Sequence, residues 1–253
     1  MHGEPPQNEG ESSAPFDLLL MLAYGWAADL EAALGLAGMA DVYRRREQQL
    51  RTTAQQLYWD GARQLYADTP RKQEFSQHSN ILAVLGDVIT GEPARELMLR
   101  ALDDKTIAQA TLFFRFYLHQ AMRKVGEGDR YLDLLGDWRG MIANGLTTFA
   151  EWEERPNDPP RSDCHAWSAS PNIEIFRTVL GIDSAAPAFA RVSVRPNLGK
   201  LKAARGSIPH PKGIVEVDLQ PQSATVTLPS GITGEFAWKG IRRELKPGTN
   251  RVL

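Results

Sequence analysis

Two regimes of hydrophobic periodicity divide this sequence, and they predict a mainly helical domain followed by a small all-β domain. From about residue 16 to 181, apolar residues recur at three- and four-residue spacing; after about residue 185 they alternate with polar ones. The third observation is order. Strongly apolar helical stretches alternate with more polar ones across short loops, the pattern of stacked helical hairpins with an inner and an outer ring. Isolated four-helix packing is the alternative reading of the same helices. The expected boundary puts residues 1–184 in the helical domain and 185–253 in an antiparallel β-sandwich. A chain of 253 residues with 42% apolar residues is long enough to bury a sizeable core.

Residues 1 to about 15 read as a loop. Leu18, Leu22, Trp26 and Leu30 recur at four-residue intervals and predict one apolar helix face. Gly35 and Gly38 then punctuate. A second helix is expected from about Asp41 to Leu57, with Arg44, Arg45, Glu47 and Gln48 on its polar face. The segment YWDGARQLYAD reads as a loop. A third helix begins near Gln77, carries Ile81, Leu82, Val84, Leu85, Val88 and Ile89, and closes at Gly91. That apolar face is too broad for a surface helix, so burial is expected. Pro93 suits the first turn of a fourth helix, and TLFFRFYLHQAM forms a fifth. A sixth follows Asp129 as N-cap and ends at Gly145, and a seventh runs from Ser170-Pro171 to Gly181. The runs RVSVRP, GIVEVDL, ATVTL, GEFAW and RVL are short strands, separated by the turn sequences PNLG, PHPKG, PSG and KPGT.

Composition excludes several function classes. Lys+Arg is 29 against 31 Asp+Glu, so the basic excess of a nucleic-acid binder is missing. The most apolar stretch, Phe16 to Leu36, is interrupted by Asp17, Asp29 and Glu31, and no membrane span is expected. Cys164 is the single cysteine, which rules out an internal disulfide and a cysteine-based zinc cluster. The opening MHGEPPQNEGESSAP is unlike a signal peptide, and the expected compartment is the cytoplasm. Dinucleotide-binding, Walker A, HExxH and GxSxG motifs are missing, and the acidic residues lack EF-hand spacing. No metal or cofactor is expected.

The stretch GLTTFAEWEERPNDPPRSDCHAWSAS, at about 145–170, is the most unusual. It sets acids beside Trp152, His165 and Trp167. Aromatic rings pack against sugar C–H faces, while carboxylates accept hydroxyl hydrogen bonds and move protons. A merely solvated charged loop is the plainer reading. Glu151 differs from Glu153 and Glu154 because it follows the uncharged segment Leu146 to Ala150, which should lie near the core. Such delivery desolvates a carboxylate in part, raises its pKa and suits proton chemistry. Glu153 and Glu154 are expected to face solvent. His165 either meets a ligand or pins its loop, and Cys164 is expected to be a buried, inert thiol. Trp59, Asp60 and His78 stand at helix ends and would line the mouth of a hairpin barrel; local capping and core filling is the competing reading. His119, Trp138 and Trp26 fit helix core positions, and Trp238 fits the sandwich core.

The segments GLTTFAE, SDCHAWSASPNIEIFRTVLGI and RVSVRPNLGKLKAARGSIPHPKGIVEV resemble the C-terminal part of bacterial α-L-rhamnosidases. These are inverting glycoside hydrolases with an (α/α)6 six-hairpin barrel followed by a small β-sandwich. The opening GEPPQNEGESSA and the YWD and SQHSN segments are also similar. The resemblance implies a partial barrel of about seven helices and a glycosidase that hydrolyses terminal α-L-rhamnosyl residues. It implies Glu151 as general base, His165 and Trp167 near the sugar, and Trp59 as an aromatic wall. The family's acid-rich motif, which supplies the general acid, has no counterpart before Phe16, so a truncated chain, inactive alone, is expected. The implied partners are a rhamnose-containing glycoside and either the missing half of the barrel or a second copy of this chain. A non-catalytic carbohydrate-binding remnant, a subunit of a split enzyme and a six-hairpin hydrolase for another sugar are the alternatives.

Overall fold

The computed structural model describes residues 12–152 and 162–253. The expectations for Glu153, Glu154 and the first eleven residues lie outside these. The chain divides into two compact units, residues 1–126 and 127–253.

The first unit is helical. Helix α1 (Ala14–Ala33) starts with Pro15 in its first turn and stops before Gly35, whose φ is +80°. Helix α2 (Ala37–Leu57) packs along α1 and buries only Ala40 and Ala54. A short hairpin follows, pairing β1 (Trp59–Asp60) with β2 (Leu65–Tyr66), where the sequence suggested a plain loop. Helix α3 (Gln77–Leu85) is capped by Ser76, whose hydroxyl accepts from the Ser79 amide, and nearly all of it is buried. Its expected extension through Ile89 does not form: Asp87 adopts a left-handed φ of 55° and turns the chain. Gly91 accordingly opens α4 (Gly91–Asp103) rather than closing α3. Helix α5 (Arg115–Lys124) ends the unit and begins later than the TLFF run suggested. In α1 the buried residues are Ala14, Leu18, Met21 and Ala28, whereas Trp26 and Leu30 of the expected core face are exposed.

The second unit opens with a 3-10 segment (Gly128–Leu134) and α6 (Gly136–Ala143). Asp129 does not cap a helix; its carboxylate accepts the Gly199 amide at 2.8 Å. Gly145 has φ +79°, the expected left-handed stop. Helix α7 (Pro171–Glu174) continues as a π-helical turn, Ile175–Val179, and ends at Gly181. At Gly181 (φ +74°) a Cβ would lie 2.1 Å from the Arg195 carbonyl carbon, so only glycine allows this approach.

Eight strands then form two four-stranded sheets. One has the order β10 (Gly248–Arg251), β7 (Ser223–Leu228), β6 (Gly213–Gln220), β5 (Ala204–His210) and is antiparallel throughout. The other has the order β3 (Ile182–Ser184), β4 (Arg191–Val194), β8 (Thr233–Trp238), β9 (Ile241–Leu245). There β4 and β8 run parallel, so this sheet is mixed rather than purely antiparallel. Val192, Val194, Val215, Val217, Leu219, Val226 and Phe236 fill the core, and Trp238 packs at its margin. The fold is thus mainly helical with a small all-β part. Among the described residues, no helix is long and apolar enough to cross a membrane.

Candidate active site

The candidate site stands on two chain segments that run side by side in the second unit. The Glu151 amide donates to the Ser162 carbonyl at 2.9 Å, and the His165 amide donates to the Phe149 carbonyl at 2.7 Å. The Thr148 hydroxyl donates to the Asp163 carbonyl. These bonds satisfy backbone groups that no helix or sheet would otherwise pair. Leu146 and Phe149 are half-buried and Ala150 is buried, so the uncharged segment partly reaches the core while Thr147 and Thr148 stay exposed. A 3-10 turn, Ala166–Ser168, completes the return, and the Trp138 indole fixes it by donating to the Ser168 carbonyl at 2.7 Å.

This backbone brings Glu151, His165 and Trp167 together. His165 Nδ1 lies 3.9 Å from Glu151 Oε2, with the two side chains 21% and 19% exposed. That separation is longer than a hydrogen bond but within ion-pair range whenever the imidazole is protonated. The His165 and Trp167 rings stand 5.3 Å apart at 46°. Trp167 is 63% exposed and offers an aromatic face to solvent. The group therefore has a water-accessible carboxylate, an imidazole and an aromatic surface, a set suited to holding a sugar and moving a proton. Cys164, between Asp163 and His165, is exposed rather than buried. A one-residue offset turns it away from the interior that His165 partly enters.

Trp59, Asp60 and His78 belong to the first unit. The Asp60 carboxylate accepts the amides of Ala62 and Arg63 at 2.9 and 2.8 Å, which is turn capping. Trp59 is half-buried against Tyr66, with ring centroids 5.1 Å apart. His78 is buried against Phe114 at 4.1 Å, and burial pushes its imidazole down to about 4. His119 is likewise buried, and desolvation followed by the Arg115 charge lowers it to about 3. A cleft of about 310 Å³ in this unit is bordered by the paired charges Lys124–Asp87 and Arg95–Glu92, both at 2.8 Å.

Sequence reasoning missed a buried polar cluster. Asp68 accepts from the hydroxyls of Ser76, at 2.7 Å, and Ser79, and burial pushes its carboxyl up to about 6. Asn80 accepts the Tyr66 amide at 2.9 Å and donates to the carbonyls of Tyr66 and Ser76 at 3.1 and 2.8 Å. The available signal was the polar run Ser76–Asn80 placed directly before an apolar helical stretch. Among the described residues, no group of three or more His, Cys, Asp or Glu is arranged to hold a metal ion.

The described residues form a mainly helical fold with a small two-sheet part, the general fold of glycosidase-like proteins found by comparison. Comparison with solved structures gives the finer placement. The GH78 family rhamnosidase of Bacillus sp. GL1 matches with a TM-score of 0.77 and 24% identity, over 89% of this chain and 26% of that one. The Streptomyces avermitilis α-L-rhamnosidase complexed with L-rhamnose matches with a TM-score of 0.76 and 17% identity, over 93% and 26%. The rhamnosidase from Klebsiella oxytoca with rhamnose bound matches with a TM-score of 0.58 and 26% identity, over 64% and 33%. The chain therefore has the fold of the C-terminal portion of these rhamnosidases and spans about a quarter to a third of their length. No protein-family model and no curated protein matches the chain.

Proposed function

We propose that this chain carries the base side of an inverting α-L-rhamnosidase centre, with Glu151 as the general base. The observation that carries the reading is the juxtaposition of Glu151 with His165 and Trp167 on one backbone-pinned return. In this reaction a water oxygen bonds to the anomeric carbon while the glycosidic C–O bond breaks. Glu151 accepts the water proton on one face of the sugar, and a separate acid protonates the leaving oxygen on the other. The two carboxyl groups of such a pair stand about 6.5–9.5 Å apart, leaving room for the water. His165 orients the carboxylate, and the Trp167 ring packs against the sugar. The general acid is supplied from outside these 253 residues. Cytoplasmic action on a rhamnose-containing glycoside, without a cofactor, belongs to the same reading.

Hydrolysis of an aryl α-L-rhamnoside tests it. The purified chain barely turns over, and supplying the rest of the barrel restores activity. In that reconstituted enzyme, Glu151→Gln lowers kcat by about 10²- to 10⁴-fold, as loss of a catalytic base does. A kcat within twofold of the parent removes Glu151 from the role. The exposed Trp167 ring beside His165 favours a second reading, sugar binding without turnover. Calorimetry with L-rhamnose that shows binding, joined to inactivity of the reconstituted enzyme, selects it.

A further inference from the structure

The short turn that presents Trp167 is gripped at both ends, and the second grip comes from outside the Glu151 segment. At the first end the His165 amide donates to the Phe149 carbonyl at 2.7 Å. Within the turn, the Ser168 amide donates to the His165 carbonyl and the Ala169 amide to the Ala166 carbonyl, both at 3.1 Å. A 3-10 run this short has poor hydrogen-bond geometry, so its shape depends on what holds it from outside. At the second end that hold is the Trp138 indole, whose Nε1–H donates to the Ser168 carbonyl at 2.7 Å, the short end of the range for such a bond.

Trp138 lies in α6 and is 5% exposed, and Ser168 is fully buried. Water does not compete for a bond between such groups, and the low local dielectric makes it stronger than the same bond at the surface. Trp167, one residue before the gripped carbonyl, is largely exposed. A ring so placed has few neighbours to fix it. Its direction follows from the backbone that carries it and from the His165 ring beside it. The Trp138 bond also bypasses the carboxylate and imidazole. Glu151 and His165 are placed by their own amides, bonded to Ser162 and Phe149, and the indole is no part of those two ties.

From this we infer that Trp138 is a positioning residue for the sugar: its indole N–H, acting through the Ser168 carbonyl, aims the Trp167 ring. It serves substrate binding, while proton transfer is left to groups placed by other bonds. The inference rests on the reading of Trp167 as the ring that packs against the sugar.

Trp138→Phe keeps a ring in the core and removes the donor. Calorimetry of the full chain with L-rhamnose should show binding weakened about two- to tenfold, the span of one hydrogen bond. In a Trp167→Ala background the same change should cost no further affinity, because no ring is left to aim. A core-filling role gives a different pattern: lower stability to urea and unchanged affinity of the folded protein. In the enzyme reconstituted with the rest of the barrel, Trp138→Phe should raise KM by the same factor and leave kcat within twofold. If the variant folds poorly, the unmutated chain decides: L-rhamnose should shift the Trp138 indole N–H resonance, assigned through the backbone. Suppose the parent chain binds L-rhamnose. Then equally tight binding by Trp138→Phe, losses that simply add to those of Trp167→Ala, or a Trp138 resonance that stays in place overturns the inference alone. A parent chain that gives no calorimetric response to L-rhamnose, by itself or joined to the rest of the barrel, overturns the sugar reading of Trp167 and this inference with it.

Discussion

In the first unit, the side chains of Asp68, Ser76, Ser79 and Asn80 are withdrawn from water and bond to one another and to the backbone of Tyr66. In the second, Glu151, His165 and Trp167 meet at the surface, with the carboxylate and imidazole close but not locked. Both clusters depend on short segments tied by backbone hydrogen bonds, yet they serve opposite ends. A buried hydrogen-bonded network fixes how a hairpin meets the helix after it, and disturbing it leaves further unpaired groups without water. In the second group the carboxylate and imidazole are half-buried and still reach solvent, and the indole is largely exposed. Stability should therefore concentrate in the first cluster and chemistry in the second.

The sharpest test of that contrast is acidification. His78 and His119 titrate near 4 and 3 in the folded chain, below the ordinary 6.5, so the stability their neutral forms allow is complete above about pH 6.5 and is lost as pH falls. Asp68 acts in the opposite sense: its folded value near 6 lies above the ordinary 3.8, so it favours folding as pH falls through that window. Two histidines outweigh one carboxyl, and stability should drop by about 3 kcal/mol between pH 6.5 and 4. Urea titrations across this range check it, and a flat or rising profile would show that Asp68 outweighs the two buried histidines. Next in size is Asn80→Ala, which strips partners from the Tyr66 amide and the Tyr66 and Ser76 carbonyls. It should cost about 3 kcal/mol by chemical denaturation; a loss below about 1 kcal/mol would show that water replaces the amide. Smallest is Trp167→Ala, expected to change stability by less than about 0.5 kcal/mol because the ring is largely exposed, while weakening sugar binding in calorimetry. A large stability loss there would make Trp167 a structural residue.

Much of this organisation was legible in the sequence because it rests on short-range chemistry. Gly145 and Gly181 sit at the left-handed positions expected of helix stops, and the alternation in GIVEVDL and ATVTL marks strands whose inner faces fill the sandwich core. Strands β3, β5 and β9 escaped notice. In β5 and β9, ARGSIPH and IRREL hold a proline or a charged run that hides the two-residue period, while β3 spans only three residues. The buried face of α1 was misjudged because the helix is apolar nearly all round, so periodicity cannot choose a side; packing against α2 and α3 does. An uncharged approach segment and a dense group of unusual residues singled out Glu151 and His165, which the fold sets 3.9 Å apart. Asp68 was not, since its burial depends on Ser76 and Ser79 folding back over it from the next helix.

The paired bonds between Glu151 and Ser162 and between His165 and Phe149 have an architectural consequence. They act as a buckle: the ends of the strap are fixed whatever is threaded through the middle. Ten positions, 152–161, lie between the buckled ends. The two backbone ties thus hold the carboxylate beside the imidazole from both sides of those positions.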